Sequence, residues 1–253
     1  MWDEALLSRV EDAGINASAP VQQRWFDGWI LRYAPVKAKR SRCINAVAEG
    51  RLGLDERLAL AAAVYRDADL PMVLRLSRFS RPPALDAELE ARGYRRFDET
   101  RVMVRTGLAT GPQPALAPDL EWAALDGPAF AATIGALRGS PADQVDAHAV
   151  RLGQAPVRHQ GFAIRRGGLI VACGQFTIES GLVGLYDVHT LATARGQGLA
   201  TQLCMRLLSL AAAQGGETAY LQVEADNEAA RRIYRGLGFA DAYEYHYRAA
   251  PGA

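Results

Sequence analysis

The segment Arg195-Gly196-Gln197-Gly198-Leu199-Ala200 separates two stretches of opposite character. Upstream, residues 182–190 (LVGLYDVHT) form an apolar run that is typical of a buried strand. Downstream, apolar residues recur at helical spacing, at Leu199, Leu203, Leu207 and Ala211. The sequence therefore predicts that a strand gives way to a helix through a turn built from small residues.

Small residues in such a turn let a ligand approach the main chain closely. The first N–H groups of a helix have no partner inside the helix, and the helix dipole is positive at that end. We therefore predict a binding site for phosphate or pyrophosphate, with Arg195 adding a cationic contact. The alternative is a helix start that uses glycine only for tight packing. The pattern matches neither a dinucleotide fingerprint nor an NTP-binding loop.

The segments that follow make the pattern more selective. A strand is predicted over 219–223, and Asn227 and Tyr234 lie on a second helix that ends at Leu237-Gly238-Phe239. In this order and spacing, residues from about 120 to 248 resemble the GNAT superfamily of acyl-CoA-dependent N-acyltransferases. The resemblance implies transfer of an acetyl or similarly short acyl group from acetyl-CoA to a primary amine, without a metal.

The resemblance also implies roles for particular residues. The main chain of Val188, His189 and Thr190 would bind the pantetheine arm as an added strand. The pyrophosphate would lie on the turn and the first helical residues, which are Arg195, Gly196, Gln197, Gly198, Leu199, Ala200 and Thr201. Asn227 would either cap its helix or bond the cofactor.

Tyr234 is the catalytic residue that the resemblance implies, because expulsion of the CoA thiolate requires a proton that a phenol can supply. The alternative is an aromatic residue of the core. The general base stays open among Asp187, Glu179 and Glu224, and a water chain to bulk solvent or an amine that is already partly neutral would serve as well. Some relatives carry a glutamate directly after the leucine of the fifth strand, but Gln222 occupies that place here.

The chain also shows signs of an internal duplication. The uncharged Gly- and Pro-rich segment 107–118 is typical of a linker. We therefore predict a degenerate N-terminal GNAT-like domain over 1–106 and a catalytic domain over 119–253. Each would be an α+β domain with three layers, α/β/α, around a mixed sheet with a central antiparallel part, present twice in tandem.

Alignment of the halves supports a loss of chemistry in the first one. Matching Gly93-Tyr94 to Gly238-Phe239 places Gly53 on Gly198. The same alignment replaces the predicted cofactor and catalytic residues: Arg195 by Gly50, Ala200 by Asp55, Asn227 by Pro82 and Tyr234 by Leu89. A carboxylate near the phosphate site would repel the ligand.

Composition narrows the class of protein. The chain has 253 residues, is 23% charged and carries a formal net charge of +1, which argues against nucleic acid or a membrane surface as partner. The N-terminus lacks the features of a signal peptide. Cys43, Cys173 and Cys204 show neither zinc spacing nor a disulfide pattern. We therefore expect a cytoplasmic enzyme and leave a homodimer open. The rival interpretations are a non-catalytic acyl-CoA-binding sensor or scaffold and a nucleotide-binding protein.

Overall fold

The computed structural model describes residues 2–252 and divides the chain into two compact units. Unit 1 comprises residues 2–17 and 102–242, and unit 2 comprises residues 18–101 and 243–252. The helices are α1 (Glu4–Ala17), α2 (Leu54–Asp67), α3 (Leu85–Ala91), α4 (Gly127–Arg138), α5 (Ala142–Gln154), α6 (Leu199–Ala213) and α7 (Glu228–Gly236).

The strands follow the same chain order. They are β1 (Gln23–Phe26), β2 (Trp29–Arg32), β3 (Ile44–Ala46), β4 (Val73–Ser77), β5 (Arg95–Thr106), β6 (Leu120–Leu125), β7 (His159–Arg166), β8 (Leu169–Glu179), β9 (Leu182–Thr190), β10 (Thr218–Glu224) and β11 (Ala240–Ala249). The strand and helix predictions around the glycine turn are confirmed by these bounds.

The sheet of unit 1 has the strand order β5-β10-β9-β8-β7-β6. Neighbouring strands from β6 to β9 are antiparallel, whereas β9 and β10 are parallel. Gly167 and Gly168 join β7 to β8 with φ values of 56° and 81°. Both glycines are left-handed, as a tight two-residue hairpin requires. The sheet is therefore mixed, with the parallel pair beside the glycine turn.

Helices cover both faces of this sheet. Gly161 pairs with Gln175, and a Cβ at Gly161 would meet the ring of Phe130 on α4. The next pair, Phe162 and Gly174, faces the other way, because a Cβ at Gly174 would meet Leu203 of α6. Unit 1 thus has the predicted α/β fold with three layers and a mixed sheet.

The apolar stripe of α6 anchors the helix to this sheet. Its predicted members are all buried and belong to one core cluster: Leu199, Leu203, Leu207 and Ala211. Burial of each leucine side chain stabilises the fold by about 2 kcal/mol.

Within residues 2–252, helices that are both long and apolar enough to cross a bilayer are absent.

The strands of unit 2 follow one another in the order β1-β2-β3-β4-β11. Their pairs are antiparallel except β3 with β4, which are parallel and are connected through α2. The core of unit 2 is built around large buried side chains, among them Trp29, Tyr65, Leu74 and Leu89.

The compact units differ from the predicted domain ranges at both ends of the chain. Helix α1 belongs to unit 1, and segment 107–118 also lies inside unit 1. We expected residues 242–247 to close the sheet of the second half, but Tyr245 pairs with Ser77 and Ala249 with Val73 of β4. Alternating aromatic residues identify a strand, but they do not specify which edge it joins.

In unit 2, a side-chain carboxylate of the chain itself binds main-chain N–H groups at the start of α2. Asp27 has a left-handed φ of 40°, and its carboxylate accepts hydrogen bonds from the N–H groups of Arg51 and Leu52 at 2.9–3.0 Å. Gly53 follows as the N-cap of α2. The hydrogen bonds from Arg51 and Leu52 lower the pKa of Asp27, and the nearby charge of Arg57 acts in the same direction.

We predict that Asp27→Asn lowers the melting temperature at neutral pH by a few degrees, because the amide is a weaker acceptor for both N–H groups. The native pKa of Asp27 lies below its unfolded value of about 4. Its stabilisation is therefore full above that value and is lost as pH falls through the native pKa. Melting curves of the two proteins should converge at acidic pH.

The matched control is Asp69→Asn. Asp69 has a similar left-handed φ of 53° but is exposed. A loss of stability as large as that of Asp27→Asn would show that the backbone conformation, and not the carboxylate, accounts for the effect.

Candidate active site

Strands β9 and β10 pair only along their first halves. Among the described residues, the parallel register runs from Thr218 with Leu182 to Leu221 with Leu185. Beyond this point, β9 continues to Thr190 and β10 to Glu224. The facing edges of the two strands therefore offer main-chain groups to a ligand, in the manner of an added strand.

A bulge interrupts β9 just after this separation. Tyr186 pairs with Gln175 and His189 with Cys173, so β9 holds one residue more than β8 between these pairs. Asp187 within the bulge has φ 52°, which is left-handed. The bulge redirects the N–H and C=O groups around Val188 relative to a regular strand. The pKa of His189 is lowered by burial and by nearby arginine charge.

The predicted phosphate turn has the geometry that its sequence indicates. Gly196 and Gly198 have φ values of 75° and 73°, and a Cβ built at either lies in open space. Gly198 is the N-cap of α6, so the N–H groups of Leu199, Ala200 and Thr201 lie in the first turn, where intrahelical acceptors do not exist. The turn from Arg195 to Gly198 is exposed.

Two side chains of the turn are tied to neighbouring elements. The Nε of Arg195 donates to the carbonyl of Thr190 at 3.4 Å, which links the turn to the end of β9. The Oε1 of Gln197 accepts from Arg166 at 2.6 Å.

Asn227 is the N-cap of α7. Its Oδ1 accepts the N–H of Ala230 at 3.1 Å. The capping alternative is therefore present in the structure, and the side-chain NH₂ of Asn227 stays available as a donor.

Tyr234 lies on α7 and is half-buried against the core of unit 1. Its ring makes an edge contact with Phe239, with centroids 6.1 Å apart. Burial raises the pKa of the Tyr234 phenol, and the nearby Cys204 adds to the rise. The phenol is consequently protonated at neutral pH, as a proton donor must be.

The open candidates for the general base differ in their surroundings. Asp187 accepts from Arg138 at 3.0 Å and from the Nε2 of Gln175 at 2.7 Å. Burial raises the pKa of Asp187, but Arg138 and the other cations around it outweigh that effect and bring it to about 2. Asp187 is therefore a paired carboxylate at neutral pH. Glu179 accepts from Asn16 at 2.8 Å, and Glu224 is exposed.

The predicted site residues all lie in unit 1. Val188, His189 and Thr190 lie on the separated part of β9, the turn residues follow directly, and α7 carries Asn227 and Tyr234. Sequence reasoning missed the bulge and the pairing of Asp187 with Arg138. A left-handed aspartate inside an apolar strand gives no local signal.

Comparison with known proteins identifies the family of this chain. The family described as "Probable histone acetyltransferase Rv0428c C-terminal" matches residues 5–248. A curated relative, the uncharacterized N-acetyltransferase YobR of Bacillus subtilis, is 34% identical over 79 residues, which are 31% of this chain and 32% of the relative. The chain thus spans about a third of the length of that relative.

Solved structures share the fold. A GCN5-related N-acetyltransferase from Kribbella flavida superposes with a TM-score of 0.70 at 16% identity, covering 97% of this chain and 96% of its own. A tandem GNAT protein from the clavulanic acid biosynthesis pathway gives a TM-score of 0.64 at 13% identity, covering 78% and 69%. Because the family match extends over nearly the whole sequence, this chain belongs to that family and, with it, to the GNAT superfamily of N-acetyltransferases.

Proposed function

We propose that this enzyme transfers an acetyl group from acetyl-CoA to a primary amine by direct attack. The observation that carries the proposal is the exposed turn from Arg195 to Gly198, whose left-handed glycines lie in open space at the start of α6. Main-chain N–H groups and the positive end of the helix would hold the pyrophosphate there. The separated edge of β9 would hold the pantetheine arm.

The corresponding loop of unit 2 supports this role. The alignment of Gly53 with Gly198 places Arg51 and Leu52 on Gly196 and Gln197. In unit 2, the N–H groups of Arg51 and Leu52 bind the carboxylate of Asp27. The backbone of the two loops differs, since Gly53 has φ −61° and Gly198 has φ 73°. The N–H groups just before α2 nevertheless bind an anion, and the N–H groups before α6 would do the same in unit 1.

Tyr234 would protonate the thiolate of CoA as it leaves. Its half-buried phenol, whose pKa is raised, retains its proton at neutral pH. The thiolate would leave into the same poorly solvated surroundings, which make it more basic as well. The N–H groups at the bulge around Val188 would stabilise the negative oxygen that develops when the amine attacks the thioester.

We also propose that the first half of the chain is a degenerate copy of the second, over 1–106 and 119–253. Two hydrogen bonds support this. Tyr94 N–H donates to the Leu89 carbonyl after α3, and Phe239 N–H donates to the Tyr234 carbonyl after α7, both at 3.0 Å. The intervening glycines, Gly93 and Gly238, are both left-handed.

Three buried free thiols fit a reducing compartment, and we infer a cytoplasmic location.

Gly198→Asp is predicted to abolish acetyl-CoA binding measured by calorimetry. The new carboxylate would strain the left-handed turn and repel the pyrophosphate at about 4 Å. The control is Gly215→Asp, because Gly215 is also left-handed (φ 89°) with open space around its Cβ but follows the other end of α6. Unchanged affinity in the Gly198 variant would place the phosphates elsewhere.

Tyr234→Phe is predicted to lower kcat by roughly 10²–10⁴ while acetyl-CoA binding is retained, because the ring keeps its packing and only the proton donor is lost. The measurement is CoA release with a panel of amines, together with calorimetry. Tyr94→Phe, the same change in unit 2, serves as control. Wild-type turnover in the Tyr234 variant would remove this phenol from the mechanism.

A further inference from the structure

A cavity of about 350 Å³ lies in unit 1 on the α4 face of the sheet. Its lining includes Phe130 of α4, Leu152 of α5, His159 of β7 and Gln175 of β8. Cavities of this size and mixed character bind small molecules or side-chain-sized groups. The Tyr234 phenol and the glycine turn are not part of its lining, so the proposed transfer chemistry does not account for this cavity.

Gln175 presents an unused hydrogen-bond acceptor there. The residue is 1% exposed, and its Nε2 donates to the carboxylate of Asp187 at 2.7 Å. Because a carboxylate can only accept, this contact fixes the orientation of the amide. The Oε1 then points away from Asp187, and it is buried without a protein partner. A buried amide oxygen that lacks a partner costs about 1–3 kcal/mol.

His159 presents a second acceptor. Its Nδ1 lies 3.1 Å from the carbonyl of Val157, so Nδ1 carries the proton and Nε2 carries a lone pair. Burial lowers the pKa of His159 to about 4, and the charge of Arg151 adds to this effect. The ring is therefore neutral at physiological pH, and Nε2 accepts hydrogen bonds.

The register of β7 and β8 places these two acceptors side by side. His159 pairs with Thr177 and Gly161 with Gln175, so His159 and Gln175 are diagonal neighbours on one face, with centres about 7 Å apart. Strand β9 lies next to β8, and the bulge at Asp187 follows the pair of Gln175 with Tyr186. The cavity is thus about 5–10 Å from the bulge, which is one to two strand spacings.

The charges around the cavity favour an uncharged donor. Arg138 and Arg151 lie near His159 and Asp187, and Asp187 is already paired with Arg138. An ammonium group in this partly buried place would lose hydration. Of the nearby carboxylates, Asp187 is paired with Arg138, and Asp126, which lines the cavity, already accepts the N–H of Ala129 at 2.8 Å. A carboxamide or a peptide N–H offers a donor without that cost.

We propose that this cavity is an acceptor subsite that binds a neutral amide N–H group of the amine substrate through Gln175 and His159. The inference rests on the proposed acetyl transfer. It assigns the substrate class as amines that carry a carboxamide or peptide amide within about 10 Å of the nitrogen that is acetylated.

The experiment compares two amines of equal shape. The first is 6-aminohexanamide, and the second is 6-methylheptylamine, in which two methyl groups replace the amide oxygen and nitrogen. We expect kcat/KM to be at least about tenfold higher for the amide, because the alkylamine leaves both protein acceptors without partners. Calorimetry with each amine, in the presence and absence of CoA, measures the same preference independently of catalysis.

Substitutions then assign the preference to residues. His159→Phe keeps a ring but removes the acceptor, and it should lower the preference for the amide about tenfold. His159→Gln retains an acceptor near the position of Nε2 and should keep most of the preference. Gln175→Met should lower the preference for the amide as well. If this substitution acted only by disturbing Asp187, it would reduce transfer to both amines equally.

The outcomes separate the two proposals. Equal kcat/KM and equal affinity for the two amines, or a preference that survives both His159→Phe and Gln175→Met, would overturn the cavity assignment while acetyl transfer stands. Amide-selective binding that His159→Phe removes, in the absence of CoA release from either amine, would support the cavity and contradict the proposed reaction.

Discussion

The separation of β9 from β10 after Leu185 and Leu221 is the constraint on which the rest of unit 1 depends. Two parallel strands that stay in the sheet without pairing leave main-chain donors and acceptors on their facing edges. Each such group costs about 1–3 kcal/mol if it is buried without a partner. The fold must therefore keep the opening accessible to solvent or to a ligand, and it must hold β9 in place from the other side.

The contacts of Asp187 provide that support. The bulge forces a left-handed backbone at a residue with a side chain, and the carboxylate is fixed by Arg138 of α4 and by Gln175 of β8. An ion pair of this kind, one-fifth exposed at the aspartate, stabilises a local conformation more than it stabilises the fold. These contacts explain the charge of Asp187 by its structural role. They therefore argue that Asp187 is a positioning residue and not the general base.

Much of unit 1 could be predicted from the sequence because its signals are local. The strand from 182 to 190, the glycine turn and the stripe of α6 all follow from periodicity and from the conformational freedom of glycine at 196 and 198. Contacts between distant segments could not be predicted in this way. Neither the pairing of β11 with β4 nor the cavity near Gln175 has a local pattern, since both depend on which strands become neighbours.

The carboxylate of Asp27 has a consequence for how the whole chain should respond to acetyl-CoA. In unit 2, the N–H groups of the loop before α2 already bind a carboxylate of the same polypeptide, whereas the glycines before α6 leave room for an external anion. A tethered carboxylate is present at a high effective concentration and does not diffuse away. If the proposed function holds, the stoichiometry is therefore one thioester per polypeptide, and saturation curves follow a simple hyperbola despite the repeated architecture.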